Sequence, residues 1–168
     1  MRILGIDPGI AIVGYGVVDP EGNTYKTIAY DAVTTRAHTP LADRLEKVYL
    51  GIDEIIKKYK PDAMSIEELF FNNNAKTALT VGQARGVIIL AAVQNNVPIY
   101  EYTPLQVKQA LTGYGRASKG QIQQMMKSML GLSEIPKPDD VADALAIAVC
   151  HGNSMRFNSI KQFGGIML

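Results

Sequence analysis

Three acidic stations stand where chemistry could be done. The first is Asp7, which ends the apolar run Ile3-Leu4-Gly5-Ile6 and is followed at once by the turn pair Pro8-Gly9. The second is the pair Glu67-Glu68, which ends another short apolar run, Ala63-Met64-Ser65-Ile66. The third is the opening of a late Ala-rich segment, where Asp140 and Asp143 stand at i and i+3 among Val141, Ala142 and Ala144. Each has an ordinary explanation when taken alone: a turn carboxylate, a solvated loop, and acids favoured by a helix N-terminus. Their repetition changes the reading. If Asp7, one of the two glutamates, Asp140 and Asp143 share a sheet edge, each pair repels by about 3 kcal/mol at roughly 5 Å and an effective dielectric near 20, and such a cluster demands cations. Oxygen-only ligands favour Mg2+ or Mn2+ over zinc, and two such ions some 4 Å apart are a standard clamp for in-line attack of water on a phosphodiester.

The elements that must position these acids can be read from periodicity. Residues 2–33 hold three strand-like stretches, with Gly9 closing the first and Asp19-Pro20-Glu21-Gly22-Asn23 turning the second into the third. Their short connections make them antiparallel neighbours. From Pro40 to Tyr59 apolar residues recur at three and four, which predicts an amphipathic helix stopped by Pro61-Asp62. A helix between the first strand and residues 63–66 predicts a right-handed crossover, two parallel strands, and both acid ends on one edge. Residues 75–96 read as a helix whose part Val87 to Val93 is apolar on every face, so a second surface must cover it, with Gly82 and Gly86 permitting close approach. Val97–Tyr102 reads as a fifth strand, Thr103-Pro104 as the cap and first residue of the helix to Thr112, and Ser118 as the N-cap of the next. Asp139 is placed to cap the last helix.

Composition sets outer limits. The 168 residues, 47% hydrophobic and 20% charged, suit one globular domain, and 17 basic against 16 acidic residues leave a net charge of +1 that announces no nucleic-acid partner. The charge is unevenly spread, however. Between Gln106 and Leu132 acids are absent while Lys108, Arg116, Lys119 and Lys127 are present, within and around a basic loop at Gly113–Gly120. A lone Cys150 excludes an internal disulfide, reads as a small core residue, and fits a reducing, cytoplasmic setting. No long apolar run suggests a membrane span or a secretory leader. The segment 152–168, rich in Gly, Asn and Ser, reads as a tail beyond a domain of residues 1–151, ordered only in part.

Several stretches in order resemble the RuvC family of bacterial Holliday-junction resolvases: Gly5-Ile6-Asp7-Pro8-Gly9 with Gly14-Tyr15-Gly16, Ile66-Glu67-Glu68-Leu69-Phe70-Phe71, Gly82-Gln83-Ala84-Arg85-Gly86, Glu101-Tyr102-Thr103-Pro104, Gly115-Arg116-Ala117-Ser118-Lys119, and Asp139 to Ala146. The resemblance covers roughly residues 1–151. It implies an α/β, ribonuclease-H-like fold with a mixed five-stranded sheet flanked by helices. It also implies a homodimer that cuts two like-polarity strands of a four-way DNA junction, with RuvA and RuvB as branch-migration partners. By motif, it implies Asp7, Glu67, Asp140 and Asp143 as the metal-binding catalytic acids, selecting Glu67 over Glu68 and Asp140 over Asp139. Phe70 matches the family's aromatic at the junction. Lys108 and Lys119 match lysines near the scissile phosphate, and Arg116 falls in the same basic motif. Two departures, Asn73 where a basic residue is common and Gly120 where an acid is common, bear on how the loops grip DNA. The competing reading is a ribonuclease-H-like nuclease for another nucleic acid. An actin-like kinase shares the Asp7-x-Gly9 pattern, but such kinases resemble two copies of this fold.

Overall fold

The structure, a computed structural model, describes residues 1–68 and 75–164, with side chains described outside 75–77 and 157–164. Five strands, β1 (Ile3–Asp7), β2 (Ile12–Glu21), β3 (Thr24–Thr34), β4 (Ala63–Glu67) and β5 (Ile99–Tyr102), form one sheet in the order β3-β2-β1-β4-β5. β2 is antiparallel to β1 and β3, while β4 is parallel to β1 and β5. The mixed five-stranded sheet, with β4 parallel to β1, is that expected. Among the described residues five helices accompany the sheet: α1 (Leu41–Tyr59), α2 (Ala75–Gln94), α3 (Pro104–Thr112), α4 (Lys119–Met129) and α5 (Asp139–Gly164).

Strand alternation divides the core in two and decides which side the acids take. Leu4 and Ile6 pack with Val13, Val17, Met64 and Ile66 under α1 and α2, whereas Ile3 and Val18 pack under α3, α4 and α5. Period two then sends Gly5 and Asp7 to the same face as Ile3. The same rule acts on β4, where the Ser65 hydroxyl donates to the Ile147 carbonyl of α5 at 3.2 Å, so Glu67, two residues on, shares that face. Glu68 does not. Both acids are thus aimed toward α5 by the pleat.

Glycines set the height of α5 above the sheet. A Cβ on Gly5 would overlap the Ala144 carbonyl, and one on Gly14 the Asp140 carbonyl, so the helix backbone rests directly on β1 and β2. Ala144 and Ala148 answer Gly5 from the helix, and both are fully buried. A helix this buried on all sides needs no polar stripe.

One expectation is corrected. α5 starts at Asp139 itself, whose carboxylate pairs with Lys137 at 3.0 Å and Lys119 at 3.6 Å, so Asp139 is the first helical residue and a salt-bridge partner of two lysines. α5 runs through residue 151 and on to Gly164. Tyr25 explains the composition there: its ring lies against Gly152, its hydroxyl donates to Asn153 Oδ1 at 2.7 Å, and Arg156 stacks over it at 4.7 Å. Gly and Asn at 152 and 153 are therefore packing choices. On α2, Ile88 is fully buried with Ala84, Ala91 and Ala92, which marks the inner face of that helix. Both anticipated caps, Thr103 on α3 and Ser118 on α4, are capping boxes closed by Gln106 and Gln121.

Candidate active site

The end of β1, the end of β4 and the first turn of α5 bring Asp7, Glu67, Asp140 and Asp143 into one electrostatic neighbourhood. Asp7 pairs in register with Gly14, and Gly14 carries the Asp140 backbone directly above it. Burial, then Glu67, Asp143 and Asp140 in turn, push the Asp7 carboxyl up to about 8, against a smaller opposing pull from Lys119. Glu67 is also raised, by burial and then by Asp143. Asp143 is raised by burial, with the Lys119 hydrogen bond working the other way. The central position of Asp7 lies in those causes, since every other acid of the set acts on it.

Beside the acids lies a cleft of about 230 Å³ walled by Glu67, Asp143, Lys108 and Lys119 over an apolar base of Val107, Ile122 and Ile147. Thr103 and Ser118 cap the helices that carry the two lysines, which fixes where each lysine emerges. Lys119 Nζ stands 3.0 Å from Asp143 Oδ2 and 3.6 Å from Asp139 Oδ2. Burial lowers its affinity for a proton, but the Asp143 and Asp139 carboxylates outweigh that and hold it charged. Arg116 lies on the exposed loop before α4 and outside the cleft walls. Phe70 falls outside the described residues.

Among the described residues, no three carboxylate, imidazole or thiolate side chains converge closely enough to coordinate a single ion. The acids meet through their fields, with the Lys119 ammonium as the counter-charge drawn onto Asp143. The donor chemistry still suits a hard divalent cation: oxygen-only ligands, and a carboxyl whose proton is retained first by burial and then by the repulsion of three neighbouring acids. Two members of the site were not singled out by spacing. Gly14 is the seat of Asp140, and its signal was the Gly-Tyr-Gly motif; Asp139, read as a cap, shares Lys119 with Asp143.

The family described as "Crossover junction endodeoxyribonuclease RuvC" matches residues 3–151. A crossover junction endodeoxyribonuclease RuvC from Clostridioides difficile (strain 630) is 59% identical over 166 residues, covering 98% of each chain. The fold superposes on the Thermus thermophilus RuvC structure with a TM-score of 0.88 at 38% identity, covering 94% of this chain and 97% of that one. T. thermophilus RuvC in complex with Holliday junction substrate gives 0.86 at 37% identity, with 94% and 96% covered. The carboxylates at two parallel strand ends, the α5 turn seated on glycine above them and a match along nearly the whole length have one common reading: this chain belongs to the RuvC family of crossover junction endodeoxyribonucleases, with their ribonuclease-H-like fold.

Proposed function

We propose that the chain resolves four-way DNA junctions by metal-dependent phosphodiester hydrolysis, working as a homodimer in the cytoplasm. The observation that carries the site is the Asp7 carboxyl, lifted to about 8 by burial and by Glu67, Asp143 and Asp140. Asp7 with Glu67, Asp140 and Asp143 would hold Mg2+ or Mn2+, two ions to a site, and the ions would supply the positive charge that activates water and offsets charge developing on the phosphate. The acids alone would repel a phosphodiester. Lys108 and Lys119 on the cleft wall supply the opposite sign, attracting the scissile phosphate and offering N–H donors to its non-bridging oxygens. Lys119 is now paired with Asp143 at 3.0 Å, and a cation held on Asp143 would leave its ammonium to the DNA. Arg116 adds a phosphate contact from its exposed loop, and Phe70 is assigned to the junction centre.

Junction DNA is the substrate because the T. thermophilus relative, 37% identical, is bound to a Holliday junction. Incubating the protein and Mg2+ with an end-labelled four-way junction, beside linear duplex, single strand and an RNA–DNA hybrid, tests this reading. Symmetric nicks in the junction alone are expected, and none after exhaustive chelation. Equal cutting of the hybrid would favour the broader nuclease reading, and turnover surviving chelation would remove the metal assignment.

The dimer rests on the outer stripe of α2. Leu79, Leu90 and Val93 are 65%, 47% and 59% exposed, and with Gln83 and Gly86 they repeat at alternating fours and threes along one face. A Cβ on Gly86 would meet nothing within 4 Å, so a second helix has room to come close there. Two such stripes related by a dyad bury each other and place two identical sites for paired nicks. Leu90→Glu is expected to give a folded monomer by sedimentation; an undiminished dimer would move the interface elsewhere.

A further inference from the structure

The Gly82–Gly86 motif contains one side chain that neither the acids nor the apolar stripe accounts for, and it reaches the end of β4. We propose that Arg85 is a positioning residue that fixes the Glu67 backbone to α2 and to β5, so that the helix carrying the outer apolar face also sets the place of one metal-holding acid. The proposal rests on the reading of Glu67 as such an acid.

The ladder leaves Glu67 only partly held. Pairing of β1 with β4 ends at Ile6 and Ile66, whereas pairing of β4 with β5 runs one residue further, to Glu67 and Tyr102. Past the β1 ladder, the Glu67 carbonyl accepts from Arg85 Nε at 3.3 Å. The same guanidinium places Nη2 2.6 Å from Glu101 Oε2, an ion pair in close contact though poorly aligned as a hydrogen bond. Glu101 sits opposite Ile66 in the register, so one planar group spans the last step of both strands. The Arg85 side chain is only 15% exposed, next to buried Ala84 in the sequence and one turn before buried Ile88. Lysine would keep the charge there. It would lose the fork that serves a carbonyl and a carboxylate at once.

Residues that orient a metal ligand typically change metal affinity or turnover by about 10- to 100-fold when altered. The test measures Mn2+ affinity of the DNA-free protein by calorimetry, and junction Kd and single-turnover cleavage rate separately, for Arg85→Lys, Arg85→Met, Glu101→Gln and Glu67→Gln. Arg85→Lys and Arg85→Met are expected to weaken Mn2+ binding and slow cleavage about tenfold, with junction Kd and sedimentation held near wild type. Glu101→Gln, which leaves the Glu67 carbonyl contact in place, should fall between them and wild type. Wild-type Mn2+ affinity and rate in both Arg85 variants would overturn the proposal, as would a loss confined to junction Kd, which would make Arg85 a DNA contact. Should the Arg85 variants fail to fold, Glu101→Gln decides alone, and wild-type values there overturn it. Glu67→Gln separates the two layers: unchanged Mn2+ affinity in that variant defeats the reading of Glu67 itself, whatever Arg85 does.

Discussion

Asp7→Asn should abolish cleavage and, in metal-free buffer, make the protein harder to melt at alkaline pH. The two effects share one cause. An unfolded aspartate titrates near 3.8, while in the fold burial and the acids Glu67, Asp143 and Asp140 raise Asp7 to about 8. Between those values the folded state keeps a proton that the unfolded state has released, so stability must fall as pH rises. The favourable contribution of the neutral acid is complete below about 3.8, declines through the window to about 8, and is gone above it. Each unit of that window is worth at most about 1.4 kcal/mol. Asparagine has no proton to lose, so the melting-temperature gap between Asp7→Asn and wild type should open from pH 4 upward and level off past pH 8. Added Mg2+ should reverse the order at high pH, since cation binding draws on the deprotonated carboxylate that only the wild type has. Cleavage should drop at least about a thousandfold, equivalent to about 4 kcal/mol of transition-state stabilisation, with junction binding preserved or strengthened by the lost negative charge. Parallel melting curves across pH would show that Asp7 is not the strained acid, and cleavage within tenfold of wild type would remove it from the chemistry.

That strain could not be seen in the sequence, although the residue could. Ile3-Leu4-Gly5-Ile6 reads as a continuous apolar run because helices cover both faces of the strand, and an alternating pattern disappears when both faces are dry. The face taken by Asp7 is written in Gly5, whose missing side chain admits the α5 backbone, but Gly5 declares this only once α5 is known to lie there. The choice between Glu67 and Glu68 has the same character. Strand parity with Ser65 puts Glu67 on the α5 face, and before the fold only family resemblance favoured Glu67. Where local chemistry was trusted over tertiary contact, the reading slipped. Asp139 has a capping residue's identity, yet Lys137 and Lys119 claim its carboxylate. Tyr25 likewise gives Gly152 and Asn153 packing roles that their types do not announce. A helix apolar all round gives no sign of which side is outward, and only the packing of α1 and the sheet on α2 separates Ile88 from Leu90.

Gly14→Ala carries the second large effect, because it reaches the site without touching a functional group. Gly14 is the register partner of Asp7, and a methyl there would overlap the Asp140 carbonyl and approach Val141 N at 2.8 Å. Those are backbone atoms of the first turn of α5, which has no rotamer to change. The turn must rise from the sheet, taking Asp140 and Asp143 away from Asp7 and Glu67. Displacement of about 1 Å at a reacting centre costs on the order of 100-fold in rate, and overpacking of this kind about 1–3 kcal/mol in stability. Gly16→Ala is the informative contrast, since its methyl meets the Leu145 side chain first, Cδ2 at 2.6 Å and Cγ at 2.8 Å, with the α5 backbone further off at 3.1 Å, whereas over Gly14 the Asp140 carbonyl is met first. Both variants should melt lower than wild type, and only Gly14→Ala should lose cleavage by about two orders of magnitude, along with Mn2+ affinity. Equal rates in the two would mean that the height of α5 over β2 does not govern the acids. A Gly14→Ala protein that cleaves within about twofold of wild type, well inside the loss a 1 Å shift predicts, would mean that the acids find each other by side-chain rotation alone.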